Sequence, residues 1–302
     1  MGLLYVLENI RTPFLDKLML AVTALGEETA FLVIALIVFW CVDKHRGYYL
    51  MAVGFTGTIL NQILKLSFRI PRPWALDPEF TIVEQAREAA AGYSFPSGHT
   101  QFAVGTFAAL GRTATKRCIQ WLCIGFAVLV PFSRMYLGVH TFKDVSVAVL
   151  MAVSLVQVLQ PLVYADNPKR MKLLLGGMIA LALGFLLYVE FWPFPEDLDL
   201  HNYQSGLKNA YTMIGCLTAV ALVYVIDEKK LHFPVEAVWW VQILKSVVGL
   251  LLVLAVKEGL RAPLEMLLPV YPARAVRYFL IVIMAGVIWP MSFHRLSQIG
   301  RK

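Results

Sequence analysis

The chain has 302 residues, of which 59% are hydrophobic and 16% are charged. Soluble domains carry about 25% charged residues, so this composition and a mean hydropathy of +0.66 exclude an ordinary soluble enzyme. The formal net charge of +7 does not indicate a nucleic-acid-binding protein, because Lys and Arg form short clusters between apolar runs. We therefore expect the bilayer and its anionic headgroups as partners, and no nucleic acid.

In chain order, the apolar residues of 13–25 first favour an amphipathic helix that lies at the membrane interface. Nine apolar runs follow, at about 28–43, 48–66, 97–112, 117–131, 143–164, 171–190, 207–226, 237–257 and 274–293. A helix needs about 20 residues to cross the hydrocarbon core, and the first, third and fourth runs are shorter than that. The pattern predicts an all-α, polytopic transmembrane bundle with about nine crossings.

Basic clusters occupy alternate connectors between the apolar runs. They comprise Lys44 and Arg46; Arg112, Lys116 and Arg117; Lys169, Arg170 and Lys172; Lys229 and Lys230; and Arg295, Arg301 and Lys302. The remaining connectors are acidic or mixed. The positive-inside rule therefore places the carboxyl terminus in the cytoplasm and the amino terminus outside, in the plasma membrane if the source is bacterial.

The first segment whose residues could take part in binding or catalysis runs from Lys65 to Pro73 (KLSFRIPRP). Pro71 and Pro73 end helical structure and stiffen the chain, which holds Lys65 and Arg72 near one another at a helix end. A point charge and a planar guanidinium together suit phosphate oxygens. Basic residues that snorkel beside a membrane helix would produce the same pattern.

The second segment is Tyr93–Thr100 (YSFPSGHT). Its proline is expected in the first turn of an apolar helix, whose unpaired amides would bind an anion that Gly98 lets approach closely. His99 could protonate a leaving oxygen there. The competing interpretation is a helix cap made by Ser94 or Ser97 beside an interfacial histidine.

The third segment runs from Ser133 to Asp144 (SRMYLGVHTFKD). On a helix, His140 and Asp144 would share a face. A carboxylate bonded to one imidazole nitrogen makes the other a better nucleophile, and Arg134 adds a cation. A surface His–Asp pair is the alternative. All three segments fall on the non-cytoplasmic side of the predicted topology.

The three motifs, Lys-x6-Arg-Pro, Pro-Ser-Gly-His and Ser-Arg-x5-His-x3-Asp, resemble in this order the signature of the type 2 phosphatidic acid phosphatase superfamily, which is related to the vanadium haloperoxidases. The resemblance covers about residues 10–165. It implies that His140 attacks phosphorus, Asp144 orients it, and His99 protonates the leaving group. It also implies a phosphate cradle, without metal or cofactor, formed by Lys65, Arg72, Arg134, Ser97 and Gly98.

We therefore expect a phosphatase core in residues 1–165 with an interfacial amino-terminal helix, and a transmembrane extension of about four helices in 166–302. The expected function is hydrolysis of a lipid phosphate or diphosphate on the extracytoplasmic or lumenal side. The candidate substrates are a polyprenyl diphosphate, phosphatidic acid, phosphatidylglycerol phosphate and a sphingoid-base phosphate. A sugar-phosphate phosphatase, a lipid phosphotransferase, and a transporter or scaffold with an inactive core remain alternatives, and homodimer formation stays open.

Overall fold

The computed structural model describes residues 1–90, 92–165, 167–195 and 198–300, and within these ranges it contains helices and no strand. The all-α class is therefore confirmed. The helices are α1 (Gly2–Asn9), α2 (Pro13–Ala24), α3 (Glu28–Cys41), α4 (Lys44–Phe68), α5 (Pro73–Leu76), α6 (Gly98–Thr113), α7 (Arg117–Tyr136), α8 (Phe142–Val163), α9 (Pro168–Phe191), α10 (Leu200–Ile226), α11 (Trp239–Gly259), α12 (Arg261–Leu267), α13 (Val270–Ile283) and α14 (Phe293–Leu296).

The predicted number of about nine crossings is not confirmed. Among the described residues, six helical segments are long and apolar enough to cross a membrane, and a seventh exists if α2 and α3, which meet at a bend of 48°, count as one span. The helices α3 and α6 have only 14 and 16 residues, fewer than the roughly 20 that a crossing needs.

The chain divides into two compact units. The first contains the described residues of 1–32, 50–160 and 196–205, and it holds all three motifs. The second contains 33–49, the described residues of 161–195, and those from 206 onward. The first turns of α10 thus belong to the unit that carries the motifs, whereas the division predicted at residue 165 stays a prediction.

The first unit depends on close packing between α3, α4 and α6. The ring of Phe31 stacks on Phe102, with centroids 5.3 Å apart, and meets Phe55 edge-on. Gly54 permits this approach, because a Cβ at that position would lie 2.1 Å from Phe31 Cζ. In the same unit, α7 packs against α1, α2 and α6.

In the second unit, two buried side chains donate hydrogen bonds to backbone carbonyls. Trp40 Nε1 donates a hydrogen bond to the carbonyl of Ala285 at 2.8 Å. The buried Lys245 donates to the carbonyl of Val235 at 2.9 Å and lies 4.3 Å from the ring centroid of Phe293. These contacts satisfy a charge that would be costly inside a membrane helix, and they make Lys245 a structural residue.

Replacing Gly54 with Ala should destabilise the first unit, because the added methyl group would displace the buried ring of Phe31. Overpacking of this kind costs about 1–3 kcal/mol. Gly125→Ala is the matched control, since nothing lies within 4 Å of a Cβ there and alanine favours helix. In detergent, thermal unfolding should occur at a lower temperature for Gly54→Ala and not for Gly125→Ala. Equal midpoints would contradict this packing.

Candidate active site

Lys65 and Arg72 come from the end of α4 and the connector that follows. The helix ends at Phe68, before either proline, and Arg69 has the left-handed backbone (φ 50°) common just past a helix end. The amide of Ser94 then donates to the carbonyl of Ile70 at 2.8 Å, which joins the first motif to the second. Arg72 is 7% exposed.

Ser97, Gly98 and His99 form the start of α6. Ser97 is the helix cap and its Oγ accepts from the amide of Thr100 at 3.4 Å. The proline expected in the first helical turn, Pro96, instead precedes this cap. A Cβ at Gly98 would meet only Asn61 Oδ1, at 3.9 Å, so the approach to its amide is sterically open. His99 Nε2 is buried and has no hydrogen-bond partner among the described residues.

His140 lies in the turn between α7 and α8, and Asp144 lies in the first turn of α8. The expectation that both sit on one helix is therefore wrong for His140. The amide of Ser97 donates to the carbonyl of Asp144 at 3.2 Å, which fixes the second motif against the third. His140 and Asp144 are each 1% exposed.

Arg72 determines which imidazole nitrogen of His140 carries the proton. Its Nη1 lies 2.8 Å from His140 Nε2 and also donates to the carbonyl of Val139 at 2.9 Å. The same Nη1 is 3.5 Å from His140 Nδ1, so the guanidinium lies against the ring and nearer to Nε2. Because a guanidinium can only donate, it disfavours a proton on the nearer nitrogen. The proton of a neutral imidazole then resides on Nδ1.

The Nδ1 side of His140 faces the carboxylate of Asp144, whose Oδ2 lies 3.6 Å away. That oxygen accepts from the amide of Thr141 and from Ser94 Oγ, both at 2.7 Å. Ser94 Oγ is itself 3.5 Å from His140 Nδ1. Ser94 therefore belongs to the site. From the sequence, it was predicted only as a possible helix cap, although it lies inside the second motif.

The remaining cations of the site are Lys65 and Arg134, whose charges both act on His140. Lys65 Nζ donates to the carbonyl of Tyr93 at 2.7 Å. Arg134 is fully buried, and its Nη1 donates to Thr23 Oγ1 at 2.9 Å. Its Nε and Nη2 are buried and find no acceptor in the described part of the chain. The structure therefore gathers all eight predicted site residues in the first unit.

Burial and charge both keep His140 neutral. Burial first, and then the positive charges of Arg72, Arg134 and Lys65, lower the pKa of His140 well below its usual value. Burial also lowers the pKa of Arg72 to about 10, which leaves its guanidinium charged at neutral pH. The neutral imidazole is thus the stable form of His140 in the free protein.

No group of three or more His, Cys, Asp or Glu side chains that could hold a metal ion occurs within the described ranges.

Two family comparisons cover more than half of the chain. Residues 46–168 match the PAP2 superfamily, and residues 211–301 match the transmembrane extension of PAP2 superfamily phosphatases. The chain belongs to the PAP2 superfamily. All three motifs of this PAP2 chain lie in the first match. The extension and the apolar helices together make it an integral, multi-pass membrane protein.

The similar proteins include lipid phosphatases of several kinds. The chain is 28% identical to undecaprenyl-diphosphatase BcrC of Bacillus subtilis over 46% of its own length and 70% of that protein. It is 29% identical to phosphatidylglycerophosphatase B of the same organism, over 45% and 69%. It is 27% identical to dihydrosphingosine 1-phosphate phosphatase C823.11 of Schizosaccharomyces pombe, over 51% and 39%. No solved structure matches the chain significantly.

The match thus spans well under half of the Schizosaccharomyces pombe phosphatase and about 70% of the two bacterial ones. Family membership and these relatives support a lipid phosphatase.

The low pKa of His140 predicts a specific dependence of stability on pH. Below pH 6.5 the unfolded chain binds a proton at His140 that the folded protein does not bind, so stability falls as the pH falls. One proton contributes at most about 1.4 kcal/mol per pH unit. Between pH 7.5 and 5.5, the unfolding midpoint of the wild type should therefore fall further than that of His140→Gln. Parallel pH profiles would show that the pKa of His140 is not lowered.

Proposed function

We propose that the protein hydrolyses a lipid phosphate or diphosphate through a phosphohistidine at His140. The observation that carries this proposal is the hydrogen bond from Arg72 Nη1 to His140 Nε2, at 2.8 Å, in a buried site rich in cations. A positive donor this close to Nε2 favours the proton on Nδ1, which is the tautomer that a nitrogen nucleophile needs.

In the proposed first step, His140 Nε2 forms a bond to phosphorus while the bond from phosphorus to the leaving oxygen breaks. His99 donates a proton to that oxygen, because a bound phosphate dianion favours the protonated form of a nearby imidazole. Asp144 stabilises the positive charge that develops on the ring of His140 and is itself held by Ser94 and Thr141.

In the second step, His99 takes a proton from water as the water oxygen attacks phosphorus. The nitrogen–phosphorus bond breaks, which releases inorganic phosphate and restores the neutral imidazole of His140. Catalysis in such a reaction depends mainly on positioning and on neutralising the charge of the equatorial oxygens. Lys65, Arg72 and Arg134 would supply that charge, and Ser97 and the amide of Gly98 would complete the cradle.

The buried nitrogens of Arg134 support a phosphate ligand in this place. Nε and Nη2 have no acceptor in the described structure, and an unpaired buried donor costs about 1–3 kcal/mol or more when charged. A phosphate oxygen would accept from both nitrogens in the planar arrangement that guanidinium favours.

The proposed substrate is a lipid with a terminal phosphate or diphosphate. The names of the relatives describe enzymes for undecaprenyl diphosphate, phosphatidylglycerophosphate and dihydrosphingosine 1-phosphate, which share this chemistry and differ in their apolar part. By the positive-inside rule, the site would open to the extracytoplasmic or lumenal side, so that the headgroup meets the histidines while the lipid tail stays in the bilayer.

A substrate panel tests this proposal in the presence of EDTA. Purified protein in mild detergent should release phosphate from at least one lipid among a polyprenyl diphosphate, phosphatidic acid, phosphatidylglycerol phosphate and a sphingoid-base phosphate. His140→Ala should release none, because no other nitrogen occupies the nucleophile's position.

Glucose-6-phosphate and an alcohol acceptor complete this panel and separate the other outcomes. If only the sugar phosphate is hydrolysed, the proposed active site stands and the proposed lipid substrate is wrong. Transfer of phosphate to the added alcohol in preference to water would indicate a phosphotransferase. If no substrate is hydrolysed, or if His140→Ala is as active as the wild type, the proposal of a phosphatase that uses His140 is wrong.

A further inference from the structure

Two of the cations proposed to bind phosphate donate hydrogen bonds to consecutive backbone carbonyls. Arg72 Nε donates to the carbonyl of Gly92 at 2.8 Å, and Lys65 Nζ donates to the carbonyl of Tyr93 at 2.7 Å. Both side chains are long and flexible, so these two carbonyls direct the end of Lys65 and the Nε side of Arg72, whose Nη1 is held in addition by the carbonyl of Val139. The position of the Gly92–Tyr93 backbone therefore sets the direction of two of the three cations.

This backbone is held from a distant part of the chain. The amide of Tyr93 donates to Oδ1 of Asn202 at 2.9 Å. Asn202 lies in the first turn of α10, outside the three motifs and beyond residues 46–168. It nevertheless belongs to the same compact unit as the motifs.

The orientation of the Asn202 amide is fixed by Asp199. Both the backbone amide and Nδ2 of Asn202 donate to Asp199 Oδ1, each at 2.8 Å. A carboxylate cannot donate, so Nδ2 must face Asp199 and Oδ1 must face the amide of Tyr93. The two side chains therefore form one preoriented acceptor at the start of α10.

Asn202 Oδ1 packs closely against the backbone of residues 92 and 93. Gly92 has a φ of +80°, and a Cβ there would lie 2.7 Å from Asn202 Oδ1. Asn202, Tyr93 and Lys65 also line a cavity of about 50 Å³, together with Gln62, Leu66, Gly92 and Ser205. The start of α10 thus reaches the polar surroundings of Lys65 itself.

From this geometry we infer that Asn202, oriented by Asp199, is a positioning residue of the phosphate site. It acts through the backbone of residues 92 and 93, which directs Lys65 and Arg72 toward the phosphate oxygens. The inference rests on the proposed function and deepens it. It also gives the start of α10, which lies outside the three motifs, a role in substrate binding.

The role predicts a loss of phosphate affinity. Asn202→Ala removes the acceptor for the amide of Tyr93, so the backbone of residues 92 and 93 no longer fixes Lys65 and the Nε side of Arg72, whereas Arg72 Nη1 keeps the carbonyl of Val139. KM for the lipid substrate and the inhibition constant of inorganic phosphate should each rise about tenfold, the lower end of what outer-shell partners of metal sites contribute. The kcat should change less, because His140, His99 and Asp144 keep their contacts.

Three further variants separate positioning from ordinary helix capping. Asp199→Asn keeps the oxygen that orients Asn202 and should behave as the wild type. Asp199→Ala loses it and should weaken phosphate binding in the same direction as Asn202→Ala. His201→Ala is the matched control, since His201 is exposed in the same helical turn and should leave both constants unchanged.

Thermal unfolding of all variants in the presence and absence of inorganic phosphate provides a readout that does not need turnover. Phosphate should protect the wild type, His201→Ala and Asp199→Asn more strongly than Asn202→Ala. A lower unfolding midpoint for Asn202→Ala with unchanged phosphate affinity would show a purely structural residue and overturn the inference.

The proposed function and this inference can fail separately. If the wild type turns over lipid and Asn202→Ala has the same KM and inhibition constant, only the inference falls. If the wild type binds phosphate without turnover and Asn202→Ala does not, the hydrolase proposal falls and the positioning role stands. If phosphate fails to protect even the wild type from unfolding and does not inhibit it, the inference falls.

Discussion

Arg72 Nη1 donates a hydrogen bond to His140 Nε2 at a place where both side chains are almost completely buried. Because the guanidinium stays protonated, this contact favours a neutral imidazole that carries no proton on Nε2. The other ring nitrogen then faces Asp144. In the proposed mechanism, an incoming phosphate would take over the donors of Arg72 and bring phosphorus to Nε2 of His140.

The charge balance around His140 explains why a phosphate fits. Of the three cations, Lys65 and Arg72 interact with the carboxylate of Asp144, and Arg134 interacts with that of Glu27. Burying charge is costly, and the fold offsets part of that cost with the carbonyls of Gly92, Tyr93 and Val139. A phosphate dianion would supply most of the missing negative charge. Under the proposed function, the same cations that lower the pKa of His140 would bind the phosphate.

The sequence was informative where chemistry depends on local spacing. The three motifs identify residues that the fold does bring together in one unit, and basic connectors between apolar runs indicate a membrane protein correctly. Local helical geometry was less reliable. His140 lies in a turn, and Pro96 lies ahead of the Ser97 cap, because the polar contacts of the site replace regular helix at both places.

Long-range contacts could not be predicted from one sequence. Asn202 meets Tyr93 across 109 positions, and nothing in the local pattern around Asn202 distinguishes it from an ordinary residue near a helix start. Ser94 was visible within its motif, but its bond to Asp144 depends on how two connectors fold together. The number of crossings also depends on helix ends, and α3 and α6 end too early for the simple apolar count.

The covalent intermediate is the most direct test of this account. The wild type would be mixed with a lipid substrate labelled in its terminal phosphate, quenched in alkaline detergent during turnover, digested and analysed by mass spectrometry. We expect one phosphoryl group on the peptide that contains His140, stable in alkali, lost in acid, and absent from His140→Ala. A phosphoryl group on another residue, or rapid turnover with no labelled protein under the same quench, would contradict it.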